Sequence, residues 1–308
     1  MSDHLPVVVT GVGGFVGGYV ARWLAARGHA VVGTVRRTML DTPMPPGVEV
    51  RVGDLCAAES LPRQFDALVH CAAEIPARCT DAAELFERNV EAARAVFDRA
   101  REAGARAVVF TSSMSVYGRI DAPVVTEDLA PVDVDSYGRS KSEGERLLRA
   151  AVDEGLGSAL SIRLPGTVGR GSHDNFLSDA LVRARAGNTL VGRHADAPFN
   201  NIVFVGDLAR FIGGWIAAPR PGYSVTNLAA RNPISVAAVY EQLFASLGTP
   251  ARIEYQSGGK PPFLIALERA EALGYAPLTV RDSIAAFVHD SLRDETDPSW
   301  VADAAGRL

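Results

Sequence analysis

The sequence predicts an α/β fold, a doubly wound parallel sheet followed by a smaller C-terminal α/β lobe. Three observations predict it. Short β-rich runs alternate with stretches of helical spacing through the first half of the chain. The runs are apolar throughout instead of alternating with polar residues, as strands buried on both faces must be. Right-handed crossovers through the intervening helices then place helices on both sides of the sheet. A chain of 308 residues is long enough for one large domain or two coupled ones.

Leu5–Thr10 reads as the first strand. Gly14–Arg27 carries Phe15, Val16, Tyr19, Val20, Trp23 and Leu24 at helical spacing. Ala30–Val35, Val48–Val52 and Ala67–Ala72 follow as strands. Ala82–Ala103 is a long helix stopped by Gly104. Ala107–Ser112 is the fifth strand, Tyr137–Glu154 the second long helix and Ala159–Arg163 the sixth strand. After Pro165 glycine and proline become frequent and the elements short. Val203–Gly206 and a helix over Asp207–Ala218 read as a return to the main sheet. Val236–Ser246 and Leu264–Leu273 read as helices of the smaller lobe. The expected division is 1–165 for the sheet, with 203–218 returning to it, 166–202 and 219–290 for the lobe, and a polar tail over 291–308.

Composition excludes several classes. Apolar residues are 47% and charged residues 22%, which suits a packed globular chain and not a disordered one. A net charge of −5 offers no basic footprint for nucleic acid. No apolar stretch reaches the ~20 residues that a membrane helix needs. The start MSDHLPVVVTG lacks a basic region before its apolar run, so cytoplasm is the expected compartment. Cys56, Cys71 and Cys79 match no metal or redox spacing, so reduced structural thiols and no metal are expected.

Between the first strand and helix, Gly11, Gly14 and Gly17 stand at three-residue spacing. A tight turn there needs positive φ, the backbone must approach a pyrophosphate, and the helix must pack closely on the strand. The helix N-terminus then faces the anion, and the sheet reads as a Rossmann sheet. The second strand ends in Val35-Arg36-Arg37 with no acid to hold a ribose 2′-hydroxyl. A guanidinium pairs with a 2′-phosphate where an acid would repel it, so NADP is expected over NAD. Asp54 after the third strand suits either a hydrogen bond near adenine or a helix cap.

Tyr137 and Lys141 lie four residues apart on one helix face. A nearby ammonium is expected to lower the tyrosine pKa and make the phenol an acid–base at neutral pH. Ser113 follows the fifth strand at its carboxyl edge, where ligands bind in open α/β sheets.

With these residues the chain resembles the extended short-chain dehydrogenase/reductases, also called the NAD-dependent epimerase/dehydratase family. The matching pieces are TGVGGFVGG, GDL at Gly53–Leu55, HCAA at His70–Ala73, Asn89-Val90, TSSMSVYG at Thr111–Gly118, YGRSK at Tyr137–Lys141, RLPGTVG at Arg163–Gly169 and VGD at Val205–Asp207. The resemblance implies that Ser113, Tyr137 and Lys141 are catalytic. It implies that Gly11, Gly14, Phe15, Val16 and Gly17 line the pyrophosphate, Arg36 and Arg37 the 2′-phosphate, and Asp54 and Leu55 the adenine. Ala72 and Ala73 would flank the ribose, and Pro165 and Val168 the nicotinamide, with Asn89 and Ser112 completing the cofactor set. Asn175 and Phe176 would contact the substrate, beside Glu74 and Met114. A homodimer through the two long helices is also implied.

Departures from the family narrow the reaction. Met114-Ser115 stand where dehydratases carry an acid pair, so dehydration is disfavoured. The expected function is NADPH-dependent reduction of a carbonyl, first of all the keto group of a nucleotide-linked sugar. The alternatives are a nucleotide-sugar 4-epimerase with tightly held NAD, a reductase of a non-nucleotide ketone, and a non-catalytic cofactor-sensing module. Phe199-Asn200-Asn201-Ile202 lacks the Arg that many sugar-nucleotide members place there for the diphosphate, with Arg170, Arg183 and Arg193 as possible substitutes. Cys79, Glu74 and His173 fall in loops expected to border the substrate.

Overall fold

The computed structural model describes residues 5–36, 43–260 and 262–293. Arg37 and the segment 294–308 lie outside them. In chain order the first half comprises β1 (Val7–Thr10), α1 (Phe15–Ala25), β2 (Val31–Val35), β3 (Val48–Val52), β4 (Ala67–His70), α2 (Ala82–Glu102), β5 (Ala107–Ser113), β6 (Val124–Val125), α3 (Ser136–Asp153) and β7 (Ser158–Leu164). The second half comprises β8 (Gly166–Val168), α4 (Phe176–Arg185), β9 (Leu190–Arg193), β10 (Pro198–Phe199), β11 (Ile202–Phe204), α5 (Val205–Ala217) and β12 (Gly222–Asn227). It continues with β13 (Ile234–Ser235), α6 (Val236–Leu247), β14 (Ile253–Gln256), β15 (Leu264–Ile265), α7 (Glu268–Ala272) and α8 (Val280–Leu292).

Seven strands form one parallel sheet in the order β12-β7-β5-β4-β1-β2-β3. Successive side chains face opposite layers. Val7 and Val9 enter a core with Tyr19, Trp23, Leu208 and Ile212 of α1 and α5. Val8 enters another with Val96, Phe97 and Leu148 of α2 and α3. Burying each such side chain contributes about 1.5–3 kcal/mol against leaving it in water. The strand order reverses between β1 and β4, which opens a crevice at their carboxyl ends. A third core joins α4, α6 and α8 in the smaller lobe. Short pairs frame that lobe: β8 with β11, β9 with β14, and β10 with β13, while β15 pairs with β6.

The structure corrects three expectations. The strand expected at Val203–Gly206 does not rejoin the main sheet: Ile202–Phe204 pairs with β8, and only the following helix α5 returns, packing on the α1 face. The returning strand is instead β12, inside the segment expected in the lobe, paired with β7 from Gly222↔Ser158 to Asn227↔Arg163. Leu264–Leu273 is not one helix. Leu264 and Ile265 are strand, paired in parallel with β6, the buried Asn200 side chain bonds both backbone groups of Ile265, and the helix starts at Glu268.

Candidate active site

Gly11 follows β1 with φ of +73°, and a Cβ there would lie 2.8 Å from the Cα of Ala72. Only glycine lets the ends of β1 and β4 come this close. Gly14 begins α1 with no side-chain cap, which leaves the first-turn N–H groups for a ligand. A Cβ on Gly17 would lie 2.5 Å from the Gly11 carbonyl oxygen, so this glycine seats the helix on the turn. The Thr10 hydroxyl accepts from the backbone N–H of Cys71 (3.1 Å) and Ala72 (3.2 Å). Its own proton therefore goes to His70 Nδ1 at 2.8 Å. Burial, with the Lys141 charge, pushes the His70 pKa down to about 3.

A cavity of about 480 Å³ opens over this turn. Of the residues expected at a cofactor, Gly11, Gly14, Arg36, Asp54, Leu55, Ala72, Ala73 and Asn89 line it. Gly13, Arg78 and Arg88 line it too and were not anticipated. Phe15 and Val16 instead pack against the core of the α1 face. Asp54 caps the 3₁₀ turn Leu55–Ala57, accepting from the backbone N–H of Cys56 at 3.0 Å. That bond holds its carboxyl below the usual range.

Glu74, expected at the substrate, belongs to this cavity. The Asn89 amide fixes its backbone, accepting from the Glu74 N–H at 2.7 Å and donating to its carbonyl at 3.0 Å. The carboxylate forms an ion pair with Arg36 and lies 3.8 Å from Arg88 Nε. Arg88 also reaches Asp54 at 3.3 Å.

A second cavity of about 420 Å³ lies beyond the carboxyl end of β5. Ser113, Met114, Asn175 and Phe176, named for the substrate, line it, together with Pro165, named for the nicotinamide, and with Asp174, Phe199 and Asn201. The Ser113 hydroxyl accepts from the Ser115 N–H at 3.1 Å and lies 3.1 Å from the Ser115 hydroxyl. Asn175 caps α4 through the Ser178 N–H at 3.0 Å. Helix α3 is pinned within the turn that runs from Tyr137 to Lys141. Gly138 sits where a Cβ would come within 2.1 Å of the Ser115 carbonyl oxygen, and Lys141 Nζ donates to the Thr111 carbonyl at 2.8 Å.

The ammonium of Lys141 lies 4.8 Å from the centroid of the Phe110 ring and 5.7 Å from that of Tyr137. Burial pushes its pKa down to about 8, and the nearby Glu145 carboxylate opposes that lowering. The Tyr137 phenol is not lowered as expected. Burial, then the Asp135 charge, pushes it up to about 12, and its neutral form dominates at neutral pH.

Several other expected residues fall elsewhere. The Ser112 hydroxyl turns away from the crevice and donates to Glu145 at 2.6 Å, and Glu145 holds Arg163 by two bonds of 2.7 and 2.9 Å. Val168 is fully buried in the lobe core, where β8 pairs with β11. Cys79 donates to the Asp81 carbonyl and His173 pairs with Asp174 at 2.7 Å, and neither lines either cavity. Arg170, Arg183 and Arg193 do not line the second cavity.

A glycine turn at the switch point of a seven-stranded parallel sheet defines a dinucleotide-binding α/β protein. The chain belongs to the NAD dependent epimerase/dehydratase family, whose model matches residues 7–228. It is 32% identical over 260 residues to the 2'-dehydrokanamycin reductase of Streptomyces kanamyceticus, covering 81% of this chain and 68% of that one. It is 34% identical over 208 residues to the D-erythronate dehydrogenase of Cupriavidus necator, covering 62% of this chain and 64% of that enzyme, less than two thirds of its length. The structure of MoeE5 in complex with UDP-glucose and NAD superposes with a TM-score of 0.74 at 26% identity, over 92% of this chain and 97% of the other.

Proposed function

We propose that the protein is an NADPH-dependent reductase of a sugar ketone, with a nucleotide-linked keto-sugar as the first substrate class. The observation that carries this reading is the arrangement at the carboxyl edge of the sheet. Ser113 lines one cavity, the glycine turn lines another, and α3 is pinned to the end of β5 with Tyr137 and Lys141 on one face. Gly11, Gly14, Ala72 and Ala73 would hold the dinucleotide, since a Cβ on Gly11 would fill their cradle. When bound, the reduced nicotinamide supplies the hydride.

The chain's own residues do the rest. The Ser113 hydroxyl orients the carbonyl oxygen. The Tyr137 phenol, kept protonated by burial, donates its proton to that oxygen as negative charge develops there. The Lys141 ammonium holds the local field positive. Met114 and Ser115 supply no second acid or base, so elimination is not part of the reaction. Arg36 at the end of β2 supports NADP over NAD.

A second reading, a free sugar or other non-nucleotide ketone, is favoured by the second cavity. Asp174 is the one charged side chain among its described lining residues, and a diphosphate calls for cations. The similarity to 2'-dehydrokanamycin reductase supports the same reading.

Tyr137→Phe tests the mechanism. NADPH should still bind with unchanged affinity by calorimetry, while ketone-dependent NADPH oxidation falls about 10²–10⁴-fold. Full turnover in that variant would exclude Tyr137 as the proton donor.

A further inference from the structure

The charges around the first cavity carry more than a preference for one cofactor. Resting on the dinucleotide reading above, the carboxyl end of β2 faces the ribose next to adenine. Arg36 stands there, but its guanidinium is already engaged by the Glu74 carboxylate, which reaches it from the loop after β4. Glu74 is not a loose surface acid. Its side chain is 17% exposed, its backbone is clamped at both N–H and carbonyl by Asn89, and Arg88 lies 3.8 Å away on its other side. Asn89 in turn donates to Ser140 on α3 at 3.1 Å, so the clamp is anchored to a long helix. A fixed carboxylate thus sits between two guanidiniums in the wall of the cavity.

We propose that Glu74 is a built-in competitor for the 2′-phosphate and sets the cofactor choice of this protein. A phosphate monoester arriving at Arg36 must displace the carboxylate or lie beside it, and like charges at such range repel. A ribose bearing a free 2′-hydroxyl makes no such demand and leaves the Arg36–Glu74 pair intact. Glu74 therefore lowers NADP affinity selectively, and the protein accepts both dinucleotides, with discrimination narrower than its arginines alone would give.

Calorimetric titration of the intact protein with NAD⁺ and with NADP⁺ tests this, because it needs no substrate. Glu74→Gln keeps the backbone clamp and removes the charge. It should tighten NADP⁺ about tenfold while NAD⁺ changes by less than about threefold. Arg36→Gln should do the reverse and weaken NADP⁺ about tenfold or more, with little effect on NAD⁺. In the double variant the gain from Glu74→Gln should shrink, since only Arg88, 3.8 Å from the carboxylate, is left to release. An unchanged ratio of the two affinities in Glu74→Gln overturns the role of Glu74 and leaves the dinucleotide reading standing. Failure of the unaltered protein to bind either dinucleotide overturns both.

Discussion

At the scale of single residues, the environment of Tyr137 and Lys141 decides what each can do. Burial favours the neutral form of both, raising the phenol to about 12 and lowering the ammonium to about 8. A reductase that needs the ammonium should lose kcat/KM as pH rises through about 8. The Glu145 carboxylate opposes that lowering. In Glu145→Gln the alkaline limb should therefore move to lower pH, and a pH profile of NADPH oxidation reads it directly. The same substitution breaks the buried pair with Arg163, so chemical denaturation should show a loss of about 3–5 kcal/mol. A stability loss with an unmoved limb would limit Glu145 to a structural role.

At the scale of elements, Gly17 shows how little room the turn leaves. In Gly17→Ala the new methyl would meet the Gly11 carbonyl at 2.5 Å, and α1 must lift. The expected cost is about 1–3 kcal/mol by urea unfolding, with weaker dinucleotide binding by calorimetry. This turn was legible in sequence because its spacing is local, and so was the Tyr137–Lys141 helix face. β1, β2, β4, β5 and β7 were legible because they are largely buried and read as mostly apolar runs, whereas β3 was legible from its valines at every second position, Val48, Val50 and Val52, with Glu49 and Arg51 between them. β12 was not, since its first four residues are only half buried and Tyr223-Ser224-Val225-Thr226 does not read as a core strand. The pairing of Arg36 with Glu74 was illegible because no local spacing encodes a contact between β2 and the loop after β4. The direction of Ser112 was legible in principle. Neighbours on a strand face opposite ways, so Ser113 toward the crevice puts Ser112 toward α3.

At the scale of the whole molecule, His70 couples the switch point to pH. Its imidazole is neutral in the folded protein, with a pKa of about 3 against 6.5 ordinarily. Below pH 6.5 the unfolded chain takes up a proton that the folded chain refuses. The contribution of this group to stability is thus complete above pH 6.5 and is lost as pH falls toward 3. Between pH 7 and 5 urea unfolding should lose about 2 kcal/mol from this group alone. His70→Asn keeps an acceptor for the Thr10 hydroxyl and should flatten that part of the slope.

The seventh strand carries a consequence for biogenesis. A ribosome delivers β1 through β7 first, then the lobe segment Gly166–Pro198 and α5, and only then β12. Until Asn227 has emerged, β7 is an open edge whose backbone groups can template pairing with another chain. The bonds that β12 brings, from Tyr117 to the Asn227 side chain and from the Asn227 N–H to Glu127, are missing during the same interval. The nascent sheet therefore passes through a stage with an open edge, and a fragment ending at Pro165 should aggregate where the full chain stays dispersed.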